Sequence, residues 1–118
     1  MEDVNRGLAA IESIRSVVAE RGGRLVVMHV AQADGLEPVD LMTEQAKGML
    51  TDWAKRSGTP FVSTADAMRK AGGTAMFVDV MHPNEAGNAI LAREVAVVIQ
   101  QLLATSAQVV PSTTGWRN

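Results

Sequence analysis

Apolar residues recur along the first twenty positions at the spacing of one face of an α-helix. The predicted inner stripe is Val4, Leu8, Ile11, Ile14, Val17 and Val18, and the predicted outer residues are Arg6, Glu12, Arg15 and Glu20. Gly22-Gly23 then supplies the left-handed conformation that commonly ends a helix. The next run, residues 25–30, is continuously apolar and β-branched, which is typical of a strand covered on both faces in a parallel sheet. This order predicts one half of an α/β unit.

The pattern of the remaining chain alternates between helical and extended stretches. They are a loop over 31–38, a helix over 40–56, a strand over 61–63, a brief helix over 64–70, an extended piece over 75–78 and a last helix over 84–103. Thr64 and Asn84 are the predicted N-caps of the last two helices. Residues 105–118 are predicted to be a tail with little structure, which leaves one domain over 1–104.

The predicted sheet has too few strands to cover the apolar strand at its centre. Two short strands and one extended piece fall below the mean of about 5–6 strands per sheet. The run at 25–30 needs helices on both faces and strands at both edges. The predicted fold class is therefore α/β, namely the C-terminal half of a doubly wound parallel sheet whose earlier strands are absent.

Composition excludes several functional classes. The 118 residues are 47% hydrophobic and 20% charged with a net charge of −2, so an ordinary globular protein without a nucleic-acid surface is expected. No apolar run approaches the ~20 residues that span a bilayer, and residues 1–6 are too polar for a signal peptide. The absence of cysteine excludes disulfides and thiol catalysis without fixing the compartment.

The candidate chemistry lies at Asp79 and His82, which are three residues apart just before the last helix. A carboxylate and an imidazole at this spacing can meet, so the acid can hold the Nδ1 proton and leave Nε2 as a base. The alternative is a helix-entry turn in which Asp79 accepts backbone N–H groups.

Three other candidate sites are weaker. Ser63 ends a predicted strand, where ligands gather in open α/β sheets, but it lacks a glycine-rich elbow and is interpreted as a strand-end polar residue. His29 is interpreted as a core or strand-end histidine. The spacing of His29, Asp79 and His82 does not support a metal site, so neither a metal nor a cofactor is predicted.

Residues 79–87, Asp-Val-Met-His-Pro-Asn-Glu-Ala-Gly, with 88–92 after them, resemble the last conserved block of the SGNH, or GDSL-type, serine hydrolases. The resemblance implies a three-layer α/β/α, flavodoxin-like fold and a Ser-His-Asp triad that cleaves a small acyl ester. His82 would be the general base and Asp79 would hold its tautomer. The family's Gly-Asp-Ser and Gly-x-Asn-Asp motifs are absent. The chain is therefore expected to be the C-terminal part, inactive in isolation and lacking the native N-terminus.

Two alternatives remain open beside the hydrolase. One is a catalytically inactive, truncated α/β domain that associates with another copy or with a partner through exposed sheet edges. The other is an intact small α/β binding module that carries Asp-x-x-His-Pro by chance. The compartment is not assigned, because an export signal would precede the residues at hand.

Overall fold

A computed structural model describes residues 2–36 and 40–109 of the chain. The helices are α1 (Glu2–Glu20), α2 (Leu41–Ser57), α3 (Ala65–Ala71) and α4 (Glu85–Val109), with 3-10 turns at Ala33–Gly35 and Gly73–Met76. The strands are β1 (Val27–His29) and β2 (Phe61–Ser63). They pair in parallel, with Val27 opposite Phe61 and His29 opposite Ser63.

The predicted fold class is wrong. The described residues form four helices around a two-stranded parallel sheet, so the chain is mostly helical and is not a three-layer, flavodoxin-like α/β/α fold. The apolar run at 25–30 gives a strand of only three residues, and residues 25–29 are half-buried. A continuous apolar run predicts burial on both faces only where other strands and helices cover it, and the described part of the chain supplies one neighbouring strand.

The extended piece predicted at 75–78 does not become a third strand. The 3-10 turn continues through Met76, and Phe77 alone forms an isolated antiparallel bridge with Pro83. Backbone N–H groups in this stretch bond locally instead, because the Gly72-Gly73 pair, both with positive φ, turns the chain back on itself. The stretch still delivers Asp79 and His82 to the start of α4.

The buried core lies at the carboxyl end of the sheet. Its members come from the segment after β1, from α3, from Phe77 and from the first turns of α4: Ala31, Ala33, Leu36, Ala65, Met68, Phe77 and Ile90. The Arg69 side chain of α3 donates from Nε to the Leu36 carbonyl at 3.1 Å, which fixes the segment after β1 against α3. The core therefore supports the end of the molecule where the predicted site residues lie.

The buried face of helix α1 matches the predicted one only in part, because Val4, Leu8, Ile11 and Val18 are half-buried and the other two members are not. Ile14 and Val17, predicted to face inward, are 52% and 54% exposed, whereas Glu12 and Arg15, predicted to face outward, are half-buried and form an ion pair. Glu12 also lies beside the buried Trp53 of α2, whose hydrogen bond helps to lower the pKa of Glu12 after the larger effect of Arg15. A buried indole N–H needs a hydrogen-bond acceptor, and the Glu12 carboxylate supplies one.

The predicted N-cap is observed at α4 but not at α3, and α2 has a cap that was not predicted. Asp40 accepts N–H groups from Met42 and Thr43 and caps α2, and Gly58 ends that helix with a positive φ. Thr64 makes no cap bond to α3. Helix α4 continues past the predicted end at 103 to Val109, so it includes the start of the predicted tail. The rest of that tail, 110–118, lies outside the described residues.

Candidate functional site

A loop closed by backbone hydrogen bonds carries the two predicted catalytic residues. The Val78 N–H donates to the His82 carbonyl at 2.7 Å, next to the bridge between Phe77 and Pro83. These contacts bring the two ends of the loop together, so Asp79 is held on the same turn as His82.

The helix that follows is fixed to this loop by Asn84 and Gly87. The Asn84 side chain accepts the Gly87 N–H at 2.9 Å, as an N-cap does, and the Asn84 backbone N–H donates to the Met76 carbonyl at 2.8 Å. A Cβ at Gly87 would overlap the Met76 carbonyl oxygen and lie 3.0 Å from the Pro83 Cβ. The glycine of the motif is therefore required sterically, because α4 begins in direct contact with the backbone before the loop.

Asp79 and His82 form the predicted side-chain pair. His82 Nδ1 lies 2.9 Å from both Oδ1 and Oδ2 of Asp79. Asp79 Oδ1 also accepts the N–H groups of Met81 at 2.9 Å and His82 at 2.8 Å. Because an ionised carboxylate only accepts hydrogen bonds, Nδ1 carries the proton and Nε2 of a neutral His82 has a free lone pair. Both interpretations of Asp79, as an orienting acid and as an acceptor for turn N–H groups, describe the same contacts.

The pair lies open to solvent. The side chains of His82 and Asp79 are 72% and 56% exposed. The Met81 N–H, followed by the His82 hydrogen bond, lowers the pKa of the Asp79 carboxyl, so it is ionised at neutral pH. Water competes for every polar group at such exposure, which keeps the contribution of the pair to folding small. Among the described residues, no serine hydroxyl hydrogen-bonds to His82.

Ser63 pairs with His29 rather than with His82. Its Oγ lies 3.0 Å from His29 Nδ1 across the two parallel strands. Desolvation, followed by the positive charge of Lys47, lowers the pKa of His29. The sequence pattern singles out each residue separately and does not predict their contact. Each residue is the last one of its strand, and this shared position is the sequence signal that could have predicted their contact.

An open cavity of about 780 Å³ lies at the carboxyl end of β1. Its lining includes His29, Gln32, Asp34, Asp40 and Thr43. The N–H of Ala33, between Gln32 and Asp34, donates to the Val80 carbonyl at 2.8 Å. One hydrogen bond thus joins the cavity rim to the loop of Asp79 and His82.

Two kinds of feature are absent from the part of the chain that the structure describes. None of the described helices combines the length and apolar character needed to cross a membrane. In the same residues, His29, Asp79 and His82 do not converge with each other or with other acids into a group of three metal-binding side chains.

Comparison of the chain with protein-family models, with curated proteins and with solved structures finds no match. The likeness to the SGNH hydrolases therefore rests on residues 79–87 and on the contact between Asp79 and His82, and it enters below as a proposal.

Proposed function

We propose that Asp79 and His82 are the acid and base of an SGNH-type serine ester hydrolase. The observation that supports this most directly is the placement of His82 Nδ1 at 2.9 Å from both carboxylate oxygens of Asp79. This contact fixes the tautomer that leaves Nε2 free to take a proton. The sequence Asp-x-x-His-Pro-Asn-x-x-Gly supports the same role, because its asparagine and glycine hold α4 against the loop.

The nucleophile would be a serine outside these 118 residues, in a segment encoded in frame before residue 1. His82 Nε2 would take the proton of that serine as its oxygen attacks the ester carbonyl, and would return the proton to the leaving alkoxide. Asp79 would stabilise the imidazolium between these steps. Without that serine the pair of Asp79 and His82 is expected to give no turnover, since loss of the nucleophile from a serine triad lowers turnover by about 10⁶-fold.

The test begins with the coding DNA and continues with kinetics. An in-frame Gly-Asp-Ser upstream is expected, and the longer product should hydrolyse p-nitrophenyl acetate. His82→Ala should lower kcat by about 10⁶-fold and Asp79→Asn by about 10⁴-fold. The matched control is Asp52→Asn, an exposed carboxylate of α2, which should leave kcat unchanged. Absence of an upstream serine motif, or equal kcat for Asp79→Asn and Asp52→Asn, would contradict the proposal.

A second candidate function, self-association, is favoured by the free edge of β1. Val27 and His29 hydrogen-bond to β2, so the alternating Met28 directs its N–H and C=O to the opposite side. Within the described residues, no strand pairs with this side. Residues 25–30 contain no acidic, lysine or arginine side chain and no proline, so the short length of β1, three residues, is the edge protection that remains.

The occupant proposed for this edge is a second copy of the chain. Two copies can pair antiparallel about Met28 through a twofold axis, because one strand edge supplies both halves of the interface. Light scattering after gel filtration should give a dimer mass for the wild type and a monomer mass for Met28→Pro, which lacks the N–H and disturbs the edge. A monodisperse wild-type monomer that melts sharply would refute this candidate.

A further inference from the structure

The hydrogen bond between Ser63 and His29 joins a hydroxyl and an imidazole at the carboxyl ends of two adjacent strands. Their Cα atoms are register partners, so the side chains leave the same face of the sheet, and Oγ lies 3.0 Å from Nδ1. Both residues are half-buried rather than enclosed. The distance between Oγ and Nδ1 lies within the hydrogen-bond range that a nucleophile and its general base require.

A second contact of Ser63 Oγ leaves its hydroxyl proton available to His29. The Ala65 N–H donates to Ser63 Oγ at 3.4 Å, a long hydrogen bond that uses a lone pair of the oxygen. The hydroxyl proton is then free to point to His29 Nδ1, which accepts it when the imidazole carries its proton on Nε2. Burial lowers the pKa of His29 and thereby favours the neutral imidazole, the form in which one ring nitrogen can accept.

The backbone around the pair is fixed by Thr64. Its N–H and its Oγ1 both donate to the His29 carbonyl, at 3.0 and 3.1 Å. Thr64 itself has 0% exposure, so these bonds are shielded from water. The separation between a hydroxyl and an imidazole varies less when both are on strand ends fixed by such bonds than when they are on a loop.

The cavity on the His29 side indicates what could reach the pair. His29 belongs to its wall together with the apolar Val30 and Met42, and the carboxylates of Asp34 and Asp40 lie on the same lining. Ser63 does not line this cavity, so a ligand in it would reach Ser63 past the His29 ring. Two carboxylates disfavour an anionic ligand by charge repulsion. The volume of about 780 Å³ is ample for a small ester.

We propose that Ser63 is a second nucleophilic centre, with His29 as its general base, that accepts the acyl group of a small uncharged ester. A bond forms between Ser63 Oγ and the acyl carbon while Nδ1 of His29 takes the hydroxyl proton. The ester C–O bond then breaks, and His29 returns that proton to the leaving alkoxide. Water releases the acid in a second step, and its proton again passes through His29. This centre goes beyond the proposed function of Asp79 and His82.

The test is covalent labelling of the 118-residue chain with a neutral alkyl fluorophosphonate. Ser63 Oγ forms the bond to phosphorus, the P–F bond breaks, fluoride leaves and His29 takes the proton. Trypsin should release residues 57–69 as one peptide that contains both Ser57 and Ser63, so fragment-ion sequencing must place the adduct. The adduct is expected on Ser63, and a wild-type chain without this adduct would overturn the proposal.

The variants separate a reactive serine from a structural one. Ser63→Ala should abolish the adduct, whereas the matched control Ser57→Ala removes a half-buried hydroxyl of the same peptide and should leave it unchanged. His29→Gln should slow labelling at least ~10²-fold, the effect of losing a general base. The wild-type rate should be half-maximal at a pH below 6.5, since the pKa of His29 is lowered from that value.

Two outcomes distinguish this proposal from the previous one. Labelling of Ser63 that persists in His29→Gln and is lost in His82→Ala would overturn the assignment of His29 and would make Ser63 the nucleophile of the Asp79 and His82 pair. Loss of labelling in His29→Gln supports the present proposal whatever the upstream DNA encodes. Circular dichroism melts of each variant show that the compared chains are folded.

Discussion

Gly87→Ala is expected to destabilise the protein because the added methyl group has no space. The new Cβ would overlap the Met76 carbonyl oxygen and would lie 3.0 Å from Pro83 Cβ and 3.3 Å from Met68 Cε. The methionine end can move, but the carbonyl is held by the Asn84 N–H at 2.8 Å. Relief therefore requires a shift of the backbone at the start of α4.

The magnitude follows from the two changes that this shift entails. Overpacking a closed site costs about 1–3 kcal/mol, and weakening the hydrogen bond from Asn84 to Met76 adds about 0.5–1.5 kcal/mol. The two terms together amount to about 1.5–4.5 kcal/mol. Alanine exceeds glycine in helix propensity by ~1 kcal/mol, so the free energy of unfolding should fall by a net of about 0.5–3.5 kcal/mol. The φ of Gly87 is not in the left-handed region, so the cost is steric.

Urea denaturation followed by circular dichroism measures this change, and Gly48→Ala is the matched control. Gly48 lies inside α2 with nothing within 4 Å of the position that an added methyl group would take, so alanine there should raise the free energy of unfolding by about 0.5–1 kcal/mol. The two substitutions are chemically identical and should have opposite signs. Stabilisation by Gly87→Ala comparable to that of Gly48→Ala would refute the packing of α4 described above.

Three further predictions concern the cap of α2 and the two histidine sites. Asp40→Ala should lower the free energy of unfolding by about 0.5–2 kcal/mol through loss of the N-cap, and Asp52→Ala on the exposed face of α2 should not. The pKa of His29 is lowered by burial, so its contribution to stability is present above pH 6.5 and is lost as the pH falls below that value. The urea midpoint of the wild type should therefore decrease between pH 7.5 and pH 5, and His29→Gln should make the midpoint less dependent on pH. The pKa of Asp79 is lowered mainly by the Met81 N–H, so its contribution is present above 3.8 and is lost as the pH falls through the lower folded value; a carboxyl NMR titration that finds a pKa of 3.8 or above would contradict this.

Local patterns predict the secondary structure where a nearby residue enforces it. The capping side chains of Asp40 and Asn84 set the starts of α2 and α4, and each accepts N–H groups within three residues of itself. Pro60 and the apolar pair after it predict β2 at Phe61–Ser63. Thr64 shows the limit of this reasoning, because its hydroxyl has a distant partner, the His29 carbonyl, in place of the first turn of α3.

Predictions about burial are less accurate, because the burial of a segment depends on which distant strands and helices pack against it. The apolar run at 25–30 indicates burial on both faces, yet the described residues place one strand beside β1 and leave the run half-exposed. The predicted buried face of α1 is right only in part, since Ile14 and Val17 are exposed whereas Glu12 hydrogen-bonds to Trp53.

The sequence by itself predicted the contact of Asp79 with His82, because a spacing of three residues lets a short carboxylate reach an imidazole on one local turn. It also determined the helix that follows, through the Asn84 cap. Only the tertiary structure decided that Ser63 lies against His29, because their contact depends on the parallel register of strands thirty-four residues apart. Only the tertiary structure likewise decided that Gly87 admits no side chain, because the obstructing atom belongs to a backbone folded back against α4.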